Sequence, residues 1–144
     1  METTKLSSFE TILENKEIIE LLSSTIFNPT FGKIQNIAQS IYAKTQGKFY
    51  VCKEDERVIG IMGFTRIDNQ VLIVKHFAVN ASYNREAVGK LLIERALTIE
   101  GVDEIVAQIS GDHLQAYHHM GFKSKKMPYD EALGERYECH LKRK

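Results

Sequence analysis

The spacing of apolar residues in the first third of the chain predicts two helices. Apolar positions recur every three or four residues in segments 16–27 and 31–44, and Asn28-Pro29 separates the two segments. Gly47 supplies an end for the second helix. The apolar positions are Ile18, Ile19, Leu21, Leu22 and Ile26 in the first helix, and Ile34, Ile37, Ala38 and Ile41 in the second.

Strand patterns follow these helices. Segments 49–53 and 58–66 are rich in β-branched and aromatic residues, and the charged residues 54–57 between them predict a hairpin. Segment 71–79 is almost continuously apolar, which is typical of a central strand covered on both faces. We therefore expect this segment to lie in the middle of the sheet.

A helix and strand pair then repeats. A helix ending at Gly101 is predicted to place one set of residues on a single face: Val88, Leu91, Leu92, Arg95, Ala96 and Ile99. Segment 102–109 predicts a strand, and segment 137–141 a closing strand. Between them lies a short helix, which stops at Gly121 with Phe122 placed for a Schellman contact. The sequence thus predicts one α/β (α+β) domain over residues 1–144, a mixed sheet with helices on both faces.

Composition narrows the function classes. Lysine plus arginine (19) equal aspartate plus glutamate (19), so neither nucleic acid nor a membrane surface is the expected partner. The amino terminus lacks the basic and apolar pattern of a signal peptide, and we expect a cytoplasmic protein. Cys52 and Cys139 lie far apart and outside any C-x-x-C spacing, so we expect packed strand residues.

The start of the predicted helix after residue 79 is a candidate anion site. The first amides of a helix have no partner within it, and the small residues Ala87 and Gly89 would let a phosphate approach them. Arg85 and Lys90 would add positive potential. Taken alone, the segment fits an ordinary helix start with one glycine equally well.

Several segments in order resemble the GCN5-related N-acetyltransferase (GNAT) family, from residue 49 onward. The triplet Phe77-Ala78-Val79 ends the central strand, and Asn84-x-x-Ala87-x-Gly89 stands where the family's pyrophosphate loop reads Gln/Arg-x-x-Gly-x-Gly/Ala. The later signature Tyr117-x-x-x-Gly121-Phe122 is intact. The resemblance implies a mixed, mostly antiparallel sheet of six to seven strands with about four helices. It is also compatible with a homodimer.

The resemblance implies acetyl-coenzyme A as the cofactor and an amine, on a small molecule or a protein, as the acceptor. It assigns the general acid to Tyr117, and a backbone amide near Phe77 or Ala78 would face the thioester oxygen. Asn84 is shorter than the family's residue, so its phosphate contact would be lost or passed to Arg85. The implied coenzyme-binding residues are Phe77, Ala78, Val79, Asn84, Arg85, Glu86, Ala87, Val88, Gly89, Lys90 and Ser110, the last replacing an asparagine that holds the pantetheine arm in many relatives.

The general base and the acceptor pocket are open. His76 lies on the central strand and is a candidate base, or else a hydrogen-bonded interior histidine; Glu54 or Asp55 through water, or no dedicated base, are the alternatives. By resemblance, acceptor-pocket candidates lie at the start of the second helix, near its end and in the loop before the closing strand: Phe31, Tyr42 and Tyr129. No metal is expected, because His118 and His119 point about 100° apart on a helix.

Two function classes remain. The first is an N-acetyltransferase that moves the acetyl group by direct attack of the amine on the thioester. The second is a catalytically weak or inactive regulatory module that binds coenzyme A. The altered pyrophosphate loop favours the second, and the retained Tyr117 favours the first.

Overall fold

The fold is a seven-stranded sheet with helices on both faces. The computed structural model describes residues 1–143. The strand order is β1-β2-β3-β4-β5-β7-β6, and the β4–β5 pair is parallel while the other five pairs are antiparallel. This confirms the predicted fold class. The strands are β1 (Glu2–Lys5), β2 (Gly47–Glu54), β3 (Arg57–Arg66), β4 (Val71–Val79), β5 (Glu104–Ser110), β6 (Lys123–Lys126) and β7 (Arg136–Lys142).

Five α-helices accompany the sheet over the described residues, against about four expected. They are α1 (Glu10–Glu14), α2 (Lys16–Ser23), α3 (Phe31–Ile37), α4 (Arg85–Glu100) and α5 (Leu114–His119). A π-helical turn extends α3 over Ala38–Tyr42. In residues 1–143 no helix has the length and apolar character needed to cross a membrane.

The amino-terminal elements differ from the sequence prediction. Strand β1 and helix α1 were not predicted, because neither segment has a clear apolar period. Helix α2 ends at Ser23 rather than at residue 27. The hydroxyls of Ser24 and Thr25 donate to the carbonyls of Leu21 and Leu22, at 2.6 and 2.7 Å, and so occupy acceptors at the helix end.

Each face of the sheet has its own apolar core. Helices α1 to α3 cover β2 to β4 on one face, while α4 and α5 pack on the opposite face. The buried face of α4 is rotated relative to the prediction: Leu91 and Ile99 are exposed, and Ile93 and Glu100 are buried. The predicted face was wrong because distant strands provide partners for Glu100, which no local pattern indicates.

Strands β4 and β5 separate after a short parallel ladder. Helix α4 connects β4 to β5, and the two strands pair over Val71–Ile73 and Glu104–Val106. Beyond these residues they diverge. The backbone N–H and C=O groups on that edge of β4, from Val74 to Val79, are therefore left without ladder partners on β5.

A bulge in β4 sets which side chains face each core. The β3–β4 register shifts so that Gly63 pairs with His76 while Phe64 pairs with Val74, and Lys75 is the extra residue. Before the bulge, Val74 packs in the core under α4. After it, Phe77 takes that side while His76 contacts Tyr42 on the opposite side. The bulge thus reverses which side chains of β4 face each side of the sheet, at the point where β4 and β5 diverge.

Candidate active site

The divergence of β4 and β5 opens a groove of about 460 Å³. We call it the β4–β5 groove. Its walls are the second half of β4 and the end of β5, from Ala107 to Ser110. Side chains from four other parts of the chain complete the lining, namely Ser24 and Thr25 after α2, Arg85 at the start of α4, His113 and Tyr117 around α5, and Arg136 at the start of β7.

Tyr117 is held on the groove wall by the way α5 ends. Gly121 has a φ of 100°, and the amide of Phe122 donates to the carbonyl of Tyr117 at 3.0 Å while that of Gly121 donates to His118 at 3.0 Å. This is the Schellman ending predicted from Gly121-Phe122. The Tyr117 ring packs edge-on against Phe122 and Phe77, with centroids 5.1 and 6.2 Å apart.

The Tyr117 phenol is protonated at neutral pH. Burial raises its pKa to about 12, although the nearby Arg85 acts in the opposite direction. Only 3% of the residue is exposed, and it reaches solvent through the groove. The side chain can therefore donate a proton into the groove from a fixed position.

Arg85 lies at the junction of helix α4 and the groove. Its guanidinium stacks 4.9 Å from the centroid of the Phe77 ring, and its Nη1 lies 3.2 Å from Nδ1 of His113. Burial, together with Arg85, lowers the pKa of His113, so this histidine is neutral at pH 7. Arg85 thus presents a fixed positive charge at the groove mouth, where it can meet an anion.

The amides at the start of α4 are less free than the sequence suggested. The Asn84 side chain accepts from the Ala87 amide at 2.8 Å, and the Asn84 carbonyl accepts from Val88 at 3.1 Å. The Glu86 carboxylate lies against its own backbone N–H, and this contact, followed by that with His119, lowers its pKa. Among residues 1–143, the Arg85 amide is left without a partner. Asn84 therefore acts as a helix cap in this structure.

Gly89 allows close packing around helix α4. A Cβ at this position would lie 2.4 Å from Sδ of Met120 and 2.8 Å from Cζ of Phe77. The glycine therefore lets α4 approach β4 and α5 closely. Val88 is likewise buried, whereas Lys90 is exposed on the outer face of α4.

His76 lines the groove and is hydrogen-bonded on its inner side. Its Nδ1 lies 2.5 Å from the Tyr42 hydroxyl, whose ring occupies the space that a side chain at Gly63 would fill. Burial, and next the charge of Lys75, lower the pKa of His76 to about 4, and burial raises that of Tyr42 far above its ordinary value. We assign the Tyr42 hydroxyl as donor to Nδ1, which places the ring proton on Nε2.

The remaining predicted site residues divide into two groups. Ala78, Val79 and Ser110 lie in the groove lining with Phe77. Tyr42 is buried behind His76, and Phe31 and Tyr129 are 55% and 69% exposed outside the lining. The groove therefore brings together the predicted strand residues with Arg85 and Tyr117, and none of the three acceptor-pocket candidates lines it.

Sequence reasoning missed several groove residues or assigned them a different role. His113 was considered only as a metal ligand, and Thr25, Lys75 and Arg136 were not considered. Arg136 reaches the groove because β7 pairs with β5, opposite Ser110, and its Nη2 donates to the carbonyl of Gln108 at 3.1 Å. The order of β5 and β7 in the sheet, which places Arg136 here, has no local signal in the sequence.

The divergent parallel pair, the helix start beside it and the tyrosine on the groove wall define the same class of protein that the sequence resembles, an acetyltransferase of the GNAT type. The family model for the Acetyltransferase (GNAT) domain matches residues 45–124. Because this match covers more than half of the chain, the chain belongs to the GNAT acetyltransferase family.

Solved structures with this fold cover almost the whole chain. Aminoglycoside 6'-acetyltransferase type Ii is 13% identical with a TM-score of 0.74, and the match covers 99% of this chain and 97% of that one. A spermidine N-acetyltransferase SpeG mutant from Vibrio cholerae is 12% identical with a TM-score of 0.72, covering 99% and 95%. Campylobacter jejuni N-acetyltransferase PseH, in complex with acetyl coenzyme A, is 17% identical with a TM-score of 0.68, covering 99% and 100%.

A curated relative matches at the sequence level. N-acetyltransferase 8 from Homo sapiens is 26% identical over an alignment of 101 residues, and the match covers 62% of this chain. The matched part is 44% of that protein, so the chain corresponds to less than half of its length.

Proposed function

We propose that this chain is an N-acetyltransferase that transfers the acetyl group of acetyl-coenzyme A to a primary amine. The observation that carries the proposal is the β4–β5 groove, with an unpaired strand edge along one wall and Tyr117 on another. An extended pantetheine arm carries amide groups, and the free N–H and C=O groups of β4 can bind them as they would bind an added strand. Arg85 stands at the mouth for the diphosphate.

Acetyl-coenzyme A, when bound, supplies an activated acetyl thioester. The backbone amide of Phe77 stabilises the negative charge that develops on the carbonyl oxygen during direct attack by the amine, because the Ala78 amide, like that of Asn80, points towards β3. Tyr117 then donates its proton to the departing sulfur. Because its pKa of about 12 lies above that of a thiol, Tyr117 delivers the proton through a hydrogen bond with modest acceleration.

His76 is the proposed acceptor of the proton that the attacking amine loses. Its pKa of about 4 keeps it neutral at pH 7, so one of its ring nitrogens is unprotonated and weakly basic. Nε2 can take that proton in the other tautomer, in which Nδ1–H donates to the Tyr42 hydroxyl. His76 therefore acts as a relay to solvent, and an acceptor whose amine is already largely unprotonated needs little help.

One observation favours the second candidate, a regulatory module that binds coenzyme A. Asn84 caps Ala87, and the Glu86 carboxylate stands at the helix start where a diphosphate would bind. Both contacts compete with an anion. They favour weaker coenzyme binding, but they do not alter the groove or the position of Tyr117.

Two measurements on the full chain decide between the candidates. Acetyl-coenzyme A is expected to raise the melting temperature, and thiol release is expected with at least one member of a panel of primary amines. Tyr117→Phe should keep the thermal shift and lower kcat by about 10- to 100-fold. Tyr137→Phe is the matched control, because it removes the hydroxyl of a tyrosine outside the groove lining, and it should leave kcat unchanged. A thermal shift with no thiol release from any amine would favour the regulatory module instead.

A further inference from the structure

The β4–β5 groove carries more positive charge than a diphosphate at helix α4 requires. Arg85 stands at the start of that helix, but Lys75 on β4 and Arg136 on β7 also line the groove. Within residues 1–143, no aspartate or glutamate side chain belongs to the lining. The additional charge lies on strands β4 and β7 rather than on helix α4.

Arg136 is built into the wall of the groove. Its position at the first residue of β7, opposite Ser110 on β5, fixes its backbone beside the groove. One guanidinium N–H is used by the carbonyl of Gln108, at 3.1 Å. A guanidinium has five N–H donors, and the rest remain available to a planar anion such as a carboxylate.

Two carboxylates that lie close to Arg136 along the chain, Glu135 and Asp130, are engaged elsewhere. Glu135 pairs with Lys126 at 3.1 Å, and Asp130 accepts from the amides of Ala132 and Leu133.

The carboxylates on the paired strands are engaged as well. Glu138 and Glu104 lie 2.7 and 2.6 Å from the two ring nitrogens of His140. Asp112, next to His113, acts on the pKa of that histidine and lies outside the lining. The charges of Arg136 and Lys75 are therefore not neutralised within the groove.

We propose that the acceptor is a small amine that also carries a carboxylate, and that Arg136 binds this carboxylate while Lys75 adds to the attraction. This inference rests on the proposed acetyl transfer and names the acceptor class. A polyamine or another polycationic acceptor would bring positive charge against Arg136 and Lys75 without any carboxylate to receive it. An acceptor with a carboxylate instead forms a charge-assisted, bidentate contact that fixes its amine relative to the thioester.

Matched pairs of acceptors test this selection. Alanine, phenylalanine and glutamate are each compared with their α-carboxamides, together with spermidine, in a thiol-release assay with the full chain. Rates are referred to the unprotonated amine, since amidation changes the amine pKa. We expect kcat/KM to be at least about tenfold higher for the acid than for its carboxamide. Arg136→Gln should remove that preference by raising KM for the acid while leaving the carboxamide within about twofold.

The control is Lys142→Gln, which removes a positive charge from the far end of the same strand. It should leave the preference intact. Equal use of acid and carboxamide, a preference for spermidine, or an equal loss on both members of a pair in Arg136→Gln would overturn the inference and leave acetyl transfer standing. Absence of thiol release from every acceptor would overturn the proposed function itself, and the inference with it.

Discussion

At the scale of single residues, His76 shows how burial sets a protonation state. In the folded chain its pKa is lowered to about 4, while an unfolded histidine titrates near 6.5. Between these values the unfolded state binds more protons, so the free energy of unfolding falls as pH decreases through this window. We predict that the wild type loses about 1 to 2 kcal/mol more than His76→Gln between pH 7 and pH 5, measured by urea unfolding.

The pKa of His140 is shifted in the opposite direction to that of His76. Its contact with Glu104, ahead of that with Glu138, raises its pKa. The stability that it contributes is therefore complete below the unfolded pKa and is lost as pH rises through the folded one. In His140→Gln, the free energy of unfolding should fall less than in the wild type as pH rises above neutral, and its pH dependence on the acidic side should be unchanged. If His76→Gln lost as much free energy of unfolding as the wild type between pH 7 and pH 5, the assignment of His76 as a buried neutral imidazole would be contradicted.

At the scale of elements, helix α4 is placed by Gly89. Alanine favours a helix interior by about 1 kcal/mol over glycine. Here, however, its methyl group would lie 2.4 Å from the Met120 sulfur and 2.8 Å from Phe77. The Met120 side chain can move, but the Phe77 ring is held between Tyr117 and Arg85. We predict that Gly89→Ala lowers the free energy of unfolding by about 1 to 3 kcal/mol in urea titrations.

Lys90→Ala is the control for this substitution, since it changes an exposed position of the same helix. It should alter stability by about 0.5 kcal/mol or less. A Gly89→Ala protein that is more stable than the wild type would show that the helix can shift away from β4 without loss.

The start of α4 gives a second prediction at this scale. Glu86 places a negative charge at the helix terminus that a diphosphate would use. Glu86→Gln removes the charge and should tighten coenzyme A binding by about two- to fivefold in titration calorimetry. Glu94→Gln, on the exposed middle of the helix, should leave the dissociation constant unchanged. An unchanged constant in Glu86→Gln would place the diphosphate elsewhere.

The elements also show what a sequence can and cannot predict. Strand β4 has the predicted bounds, and α5 ends as predicted at Gly121, because both features depend on neighbouring residues. The bulge at Lys75 depends on pairing with β3, and it decides which way His76 and Phe77 point. The capping role of Asn84 also appears only once the helix start is seen.

At the scale of the whole molecule, the sheet consists of two halves joined by a short contact. Strands β1 to β4 form one half and β5 to β7 the other, and the ladder of three residue pairs between β4 and β5 joins them. Helix α4 and its core cross this junction. The groove is therefore a gap within one continuous fold, and its walls are held by the strands and by α4.

Glu100 ties the amino-terminal half of the sheet to helix α4. Its side chain is 3% exposed and lies 2.7 Å from Lys5 Nζ, 2.5 Å from the Tyr50 hydroxyl and 3.4 Å from Arg66 Nη1. Burial would raise the pKa of this carboxyl, but Lys5 and Tyr50 outweigh it and the pKa is lowered. One carboxylate thus connects β1, β2 and β3 to the end of α4.

Glu100→Gln should remove this connection and leave Lys5 and Arg66 partly buried without a counter-charge. We predict a loss of about 3 kcal/mol in the free energy of unfolding at pH 7. The carboxylate stabilises the fold above its unfolded pKa, and this contribution is lost as pH falls through the folded pKa. The difference between wild type and variant should therefore shrink on acidification, while Glu94→Gln shows no such change. Hydrogen exchange should speed up first in β1, and unchanged protection there would mean that backbone pairing with β2 alone holds the strand.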